Sequence, residues 1–206
     1  MSDALATFIE RIDSLDLRDG LKDWPGPLKM RESGPWATWY APFEHVNARA
    51  RLVIVGITPG LQQALNALSA YQKARRRGET HEVALASAKV FASFSGPMRA
   101  NLVALLDGIG VASLLGLDTC ARLFADRADL VHFTSALRFP VTFGGKNYGG
   151  TPDILATEYT RREFEEGFLP EVETLRDALW VPLGPAVTAA IASVARRGVL
   201  EARHVL

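Results

Sequence analysis

The sequence predicts an α/β protein, a three-layer α/β/α arrangement around a short central parallel sheet of four strands. Leu52-Val53-Ile54-Val55 is a continuous apolar run rich in β-branched residues, the composition of a strand buried on both faces. Further short apolar runs at Val131–Ser135 and Leu179–Gly184 alternate with helical patterns, the rhythm of parallel strands joined by right-handed crossovers. The run from Arg51 empties into Gly56-Ile57-Thr58-Pro59-Gly60, punctuation that reads as a strand-to-helix turn. With 206 residues, 48% hydrophobic and 22% charged, the chain has material for one well-cored domain. Residues 1–49 read as a lead-in and 50–206 as the α/β core.

In chain order, Leu5, Phe8, Ile9, Ile12 and Leu15 recur at helical spacing, with Ser2 or Asp3 as cap and Asp19-Gly20 as stop. From Trp24 to Phe43 prolines, glycines and aromatics exclude a helix, yet the rings are too many for a solvated linker. This stretch is expected to lie across the domain surface with its rings packed on the core. The run at Leu52 then takes the middle of the sheet. Leu61, Ala64, Leu65, Leu68 and Tyr71 mark one helix, and Val83, Ala84, Ala88 and Phe91 another. Phe94-Ser95-Gly96-Pro97 interrupts, with Ser95 placed to cap a helix carrying Leu102, Leu105, Leu106 and Ile109. The second strand, Val131–Ser135, opens into Arg138-Phe139-Pro140 and a glycine-rich loop from Gly144 to Pro152, long enough to suggest function. Phe164, Phe168 and Val172 mark helical structure that Pro170 breaks or restarts. Leu179–Gly184 reads as the third strand, Pro185 opens a helix that Gly198 closes, and Val199–Leu206 begins a fourth strand.

Composition narrows the chemistry. The formal net charge is zero, so no global basic field points to nucleic acid, and such contact must come from a local patch. Lys73-Ala74-Arg75-Arg76-Arg77 is one such cluster and reads equally as a solvated helix end. The single cysteine, Cys120, excludes an internal disulfide and any site needing several thiolates, and reads as a buried inert thiol. No histidine pair has metal-ligand spacing, and His132 reads as a hydrogen-bonded core residue within its strand. Glu165-Glu166 reads as a solvated face. No metal and no cofactor are expected. Neither a membrane-length apolar run nor a charged-then-apolar leader is seen, so the expected compartment is cytoplasmic, with a monomer as the default state.

The carboxyl ends of parallel strands are where α/β proteins bind ligands, which makes Gly56–Gly60 the first candidate site. The segment 56–60, with Phe94-Ser95-Gly96 ahead of the helix at Asn101-Leu102 and the strands ending at Ser135 and Gly184-Pro185, resembles the uracil-DNA glycosylase superfamily over residues 50–206. Gly56-Ile57-Thr58-Pro59-Gly60 is similar to that family's first motif, a strand ending in Gly-x-polar-Pro-Gly. The resemblance implies DNA as partner, with uracil or another damaged base extruded into a snug pocket and its N-glycosidic bond hydrolysed. It implies Phe94 as the ring stacking on the base, Thr58 as the residue holding water, and Gly56, Ile57, Pro59, Gly60, Ser135 and Asn147 as the binding surface.

Three departures from the family's pattern bear on activity. Thr58 stands where the resemblance implies a water-activating Asp or Asn, and a hydroxyl takes up no proton near neutral pH. Ser135 stands where an amide would read the base edge, with Asn147 in the glycine-rich loop as its replacement. The His-Pro-Ser motif expected after the fourth strand is absent, since the chain ends at Arg203-His204-Val205-Leu206. Either the sequence is cut short there or the element is lost. Three readings therefore stand at this stage: a base-excision glycosylase, a weak or inactive DNA-binding module on the same pocket, and a small-molecule nucleotide or sugar enzyme on the same fold.

Overall fold

The computed structural model describes residues 3–17 and 23–206. Helix α1 (Asp3–Asp13) buries Leu5, Phe8 and Ile12, as their spacing predicts. Ser2 and Asp19-Gly20, expected to cap and stop this helix, lie outside the described residues. The Ile12 and Leu15 carbonyls accept from the Gln72 side-chain amide at 2.7 and 3.0 Å, which satisfies helix-end acceptors that would otherwise be orphaned.

Where the sequence suggests an irregular aromatic stretch, the chain forms β1 (Lys29–Ser33) and β2 (Trp36–Trp39), an antiparallel hairpin. Its rings do pack inward, and Trp36, Trp39, Tyr40 and Phe43 are all buried. Next come β3 (Leu52–Gly56), α2 (Leu61–Arg76), α3 (His81–Ala92), α4 (Pro97–Gly108) and α5 (Val111–Leu115). After them, β4 (Val131–Ser135) leads to the short β5 (Val141–Phe143) and β6 (Lys146–Asn147). The remainder is α6 (Glu158–Gly167), α7 (Leu169–Thr174), β7 (Leu179–Pro182) and α8 (Pro185–Arg196).

The fold is α/β. β3 is the middle strand of a parallel sheet ordered β4-β3-β7. Alternate residues feed opposite faces. Val53, Val55 and Trp180 meet Phe164, Phe168, Val172, Val187 and Ile191 on one side. Leu52, Ile54, Phe133 and Val181 meet Leu102, Leu106, Val111 and Leu115 on the other. A third cluster packs α1, α2 and α3 against Leu28, Tyr40 and Phe43.

The sheet holds three ladder strands where four are expected. Val205 makes only an isolated parallel bridge to Trp180, and the Leu206 N–H donates to the Trp180 carbonyl at 2.9 Å. Residues Ala202–His204 form a 3-10 turn, which takes them off the ladder and shrinks the fourth strand to one pair. A second, antiparallel sheet ordered β1-β2-β5-β6 lies beside the first. The glycine-rich segment from Gly144 accordingly starts as a hairpin rather than a loop. Gly144 and Gly145 have φ of 58° and 78°, the positive values that a two-residue turn matched to strand twist requires.

Ser95 does not cap α4. That helix starts at Pro97 with Gly96 as its cap residue, and the Ser95 hydroxyl accepts from the Asn66 amide at 2.9 Å. The basic cluster 73–77 closes α2, where Arg77 pairs with Glu79 at 2.8 Å and Arg75 donates to the Glu79 carbonyl. A helix of 16 residues puts that end roughly 24 Å from the Gly56–Gly60 loop at 1.5 Å per residue. Cys120 is a buried free thiol, and burial together with Asp107 pushes it up to about 12. Among the described residues no helix is long and apolar enough to cross a membrane.

Gly150 joins the site loop to α8. Its φ is +93°, and a Cβ there would meet the Ala186 Cβ at 3.0 Å and the Ile57 Cδ1 at 3.4 Å. Gly150→Ala is expected to lose about 1–3 kcal/mol in urea denaturation. Gly26→Ala, where a Cβ meets nothing within 4 Å, should stay within about 0.5 kcal/mol of the parent.

Candidate functional site

The site begins where β3 ends. From Gly56 the chain turns through Ile57, Thr58, Pro59 and Gly60 into α2, and the segment after β4 locks this turn in place. The Ala136 N–H donates to the Gly56 carbonyl and the Leu137 N–H to the Ile57 carbonyl, both at 2.9 Å. The Thr58 hydroxyl donates to the Phe139 carbonyl at 3.0 Å and accepts from the Val141 N–H at 3.0 Å. Its only proton and one of its lone pairs are therefore spent on joining the loop to Phe139 and to Val141 at the start of β5.

Above this loop lies a cavity of about 510 Å³, within the range of small-ligand pockets. Gly56, Ile57, Thr58, Pro59, Gly60, Phe94, Ser135 and Asn147 all line it. Five of these belong to one loop, but Phe94, Ser135 and Asn147 reach the cavity from separate parts of the chain.

Phe94 is held in an unusual way. Its φ is +51°, left-handed for a bulky residue, a conformation costing roughly 1–2 kcal/mol. Surrounding structure must hold such a residue in place, and its ring packs edge-on against Phe133 with centroids 5.9 Å apart. The ring comes within 3.5 Å of where a Gly56 Cβ would sit, and the Ser135 Oγ comes within 3.6 Å of the same point. An aromatic ring and a hydroxyl thus both approach the space that a side chain at Gly56 would fill. Asn147 is on β6, not in a loop, and its Nδ2 lies 3.2 Å from the corresponding Cβ position of Gly60. Among the described residues neither the Ser135 hydroxyl nor the Asn147 carboxamide has a hydrogen-bond partner. His204 is remote from all of these. It bonds the Arg176 carbonyl at 2.9 Å near Arg51 and Leu179, where the strands begin.

Sequence reasoning missed the charged wall of the cavity. Lys89, Thr134 and Arg138 line it as well, and all three converge on the fully buried Glu171 of α7. The Arg138 Nε donates to Glu171 Oε1 at 2.8 Å and the Thr134 hydroxyl to Oε2 at 2.5 Å. Lys89 Nζ lies 3.7 Å from Oε1 and donates to the His45 carbonyl at 2.7 Å. On the protein side the Asn47 N–H donates to His132 Nδ1 at 3.4 Å, so the imidazole proton sits on Nε2, 3.1 Å from Glu171 Oε2.

Burial and the Lys89 charge hold His132 neutral, lowering it to about 4 against the pull of Glu171. Burial likewise lowers the Lys89 ammonium to about 8, with Glu171 opposing. Burial alone would raise Glu171, but Lys89, His132 and Arg138 together drive its carboxyl far below the ordinary carboxylate range. A periodicity signal for this cluster exists. Lys89 shares the buried face of α3 with Leu85, Ala88 and Ala92, and Glu171 sits at helical spacing from Phe168 and Leu175. A charge on an apolar stripe marks a pairing requirement.

No family model matches the chain, and no solved structure matches it. Over 204 residues the chain is 30% identical to a Bacillus subtilis (strain 168) protein whose name is "Uncharacterized protein YoxB", covering 96% of this chain and 78% of that protein.

The neutral His132 has a consequence for acid stability. Its ordinary value is 6.5 and its folded value about 4, so between these the unfolded chain binds the extra proton and stability falls as pH falls. The loss from this group is about 3 kcal/mol across that window. His132→Gln, whose amide can still donate to Glu171, should flatten the decline between pH 6.5 and 4 in urea titrations. An unchanged slope would show that His132 is not held neutral.

Proposed function

We propose that this chain, which belongs to the same family as YoxB, is a uracil-DNA glycosylase-like protein that holds an extruded base in the cavity at the ends of β3 and β4. The observation that carries this reading is the pose of Phe94. A strained backbone brings an aromatic ring close to the bare Gly56, and the unpartnered Ser135 hydroxyl approaches the same point. That arrangement suits a flat, polar-edged ligand, stacked on one face and hydrogen-bonded at its rim. Asn147 adds a carboxamide at the cavity lining, able to supply both donor and acceptor. The proposed partner is therefore DNA, the compartment the cytoplasm and the working unit a monomer.

In the proposed reaction water adds to C1′ of the sugar while the bond from C1′ to the base nitrogen breaks. The base leaves with the electron pair, and the water's proton passes to solvent or to the departing base. Two demands follow, stabilisation of the leaving anion and activation of the water. The cavity is poorly equipped for the second. No Asp, Glu or His is among its described lining residues, and Thr58 retains only one free lone pair to orient a water. General-base help is worth about 10²–10⁴-fold in rate, so turnover without it is slow.

That same occupancy of Thr58 favours a second reading, in which the pocket binds an extruded base without excising it. The two separate on one assay. Uracil-containing single-stranded and duplex oligonucleotides are incubated with the chain, with base release scored by alkaline cleavage and binding by gel shift. Slow release that Phe94→Ala reduces at least tenfold supports excision. Salt-sensitive binding without release, weakened by the same substitution, supports the binding module. Neither release nor binding removes DNA bases from the reading and leaves a small-molecule ligand. Thr58→Ala is expected to cost about 1–2 kcal/mol of stability, since it strips the bonds from this hydroxyl to Phe139 and Val141.

A further inference from the structure

A second cavity lies along the free edge of the parallel sheet. Its volume is about 690 Å³, and it shares Lys89 and Phe133 with the first. β4 is an edge strand, so every second residue turns its backbone groups away from β3. The Ala136 N–H donates to the Gly56 carbonyl and the Leu130 carbonyl accepts from the Arg51 N–H, both at 2.9 Å, so even-numbered residues face β3 and odd-numbered ones face outward. Val131 fits that parity. Its carbonyl accepts from the Asn47 side-chain amide at 2.9 Å and its N–H donates to the Ala128 carbonyl, so Asn47 stands in for a neighbouring strand. Nothing does so for Phe133. It is buried and lines the cavity, yet its outward N–H and carbonyl have no partner among the described residues. Buried, unpaired backbone groups are costly until something completes them.

The wall facing this edge is α3, which gives Ala86, Val90 and Phe91 to the cavity, and the Phe91 ring is exposed. The lining also holds a cation without a carboxylate. Arg99 Nη2 donates to the Val90, Phe91 and Ser93 carbonyls at 3.2, 2.8 and 2.9 Å and so closes the end of α3. Its Nε is buried without a partner, and its Nη1 bonds no described residue. The guanidinium lies 4.5 Å from the centroid of Phe124, whose ring stacks on Phe133 at 4.5 Å, which brings the unspent donors near the bare strand edge. Of the other charges on the lining, Lys89 is 3.7 Å from Glu171 and feels Glu44 as well, and Asp129 pairs with Arg127 at 3.1 Å. Glu82 stands on the first turn of α3, roughly 14 Å along the helix from Phe91 at 1.5 Å per residue. The exposed Arg49 has no ion pair among the described residues.

We infer that this cavity is a docking groove for an extended, acidic segment of a partner protein, added antiparallel to β4. Residues facing each other in an antiparallel hydrogen-bonded pair exchange both N–H···O bonds, which is what the two bare groups of Phe133 require. A heterocycle carries its donor and acceptor on neighbouring ring atoms, too close together to reach both. Main-chain bonds of an added strand supply affinity, and side-chain contacts supply specificity. Here the specificity comes from acidic side chains, which Arg99 and Arg49 receive through charge-assisted bonds. None of the residues assigned to the base takes part.

The test is an NMR titration of the isotope-labelled full chain with the N-acetylated, C-amidated peptide Val-Glu-Val-Glu-Val. Its comparison probes are the same peptide with Lys for Glu, the acidic peptide methylated at its backbone nitrogens, and oligothymidylate. The acidic peptide should shift the Phe133 amide saturably and slow its hydrogen exchange by roughly tenfold or more, and the methylated peptide should do neither. Arg99→Gln should weaken the acidic peptide by roughly tenfold or more, with a thermal melt to check that the variant is folded. Should Arg99→Gln not fold, the methylated peptide decides the matter on the unaltered protein. Equal binding of the methylated peptide overturns strand addition, and equal or tighter binding of the lysine peptide overturns the acidic partner. A Phe133 shift with oligothymidylate but with no peptide assigns the groove to nucleic acid, and one that follows protein concentration alone assigns it to a second copy. Either result overturns the proposal, as does the absence of any shift at Phe133. Each of these outcomes leaves the base pocket to be judged separately by uracil release.

Discussion

A single buried carboxylate holds three layers of this protein together. Glu171 sits on α7, yet its oxygens receive Thr134 and His132 from β4, Arg138 from the segment after β4, and approach Lys89 from α3. α7 belongs to the cluster on one face of the parallel sheet, whereas α3 belongs to the side cluster with α1 and α2. The carboxylate therefore fixes how far apart those two apolar bodies sit. Removing one partner from such a site leaves an uncompensated charge and typically costs 3–5 kcal/mol, far more than the pair contributes against an apolar replacement. That asymmetry makes the network a constraint on geometry rather than a source of stability. It also explains the tight approach at Gly167, where a Cβ would come within 3.2 Å of the Arg138 Cβ.

The cavity inherits its shape from this arrangement. The segment carrying Arg138 runs on to Phe139 and Val141, which hold the Thr58 hydroxyl from both sides. The strand-end loop is thereby pinned without using its own glycines as hinges, and Phe94 is pressed over it from the connection between α3 and α4. Bonds of this kind leave little to reorganise when a ligand arrives, and binding costs less when the bound geometry pre-exists. A left-handed phenylalanine is consistent with that economy. Local strain persists because many contacts over-determine it.

Much of this fold was legible in the sequence, for physical reasons that differ by element. β3 could be read because both its faces are buried and every position is apolar. Pro185 at the first turn of α8 and Gly198 beyond its end could be read because each is tied to one backbone conformation. The second sheet was not foreseen, although Gly144-Gly145 between Thr142-Phe143 and Lys146-Asn147 is a hairpin signal. Prolines and aromatics around Trp36 obscured its partner strands. The fourth strand was over-read, because Val199–Leu206 has strand-like composition at its ends but a 3-10 turn in the middle. Of the cavity, the loop and Phe94 were visible as local motifs. Lys89, Arg138 and Glu171 were not, because their significance depends on a meeting of α3, α7 and the end of β4 that no local pattern encodes. Only the placement of two opposite charges on apolar helix faces hinted at it.

The balance of groups around the cavity also bears on mechanism. Everything unspent there is a donor or a neutral amphoteric group: the Arg138 Nη groups, the Ser135 hydroxyl and the Asn147 carboxamide. Such a set can stabilise negative charge but can take up no proton at neutral pH. On the proposed reading, bond cleavage is then helped through the leaving base far more than through the attacking water. A barrier lowered on one side only depends on how well the base bears a negative charge, so the acidity of the base would govern its release. A pocket with the opposite equipment, a carboxylate over the sugar and no cations at the base edge, would depend instead on the positioning of water. The placement of Thr58 fits the first case, for its hydroxyl fastens the loop that carries the pocket and has little left with which to orient a water.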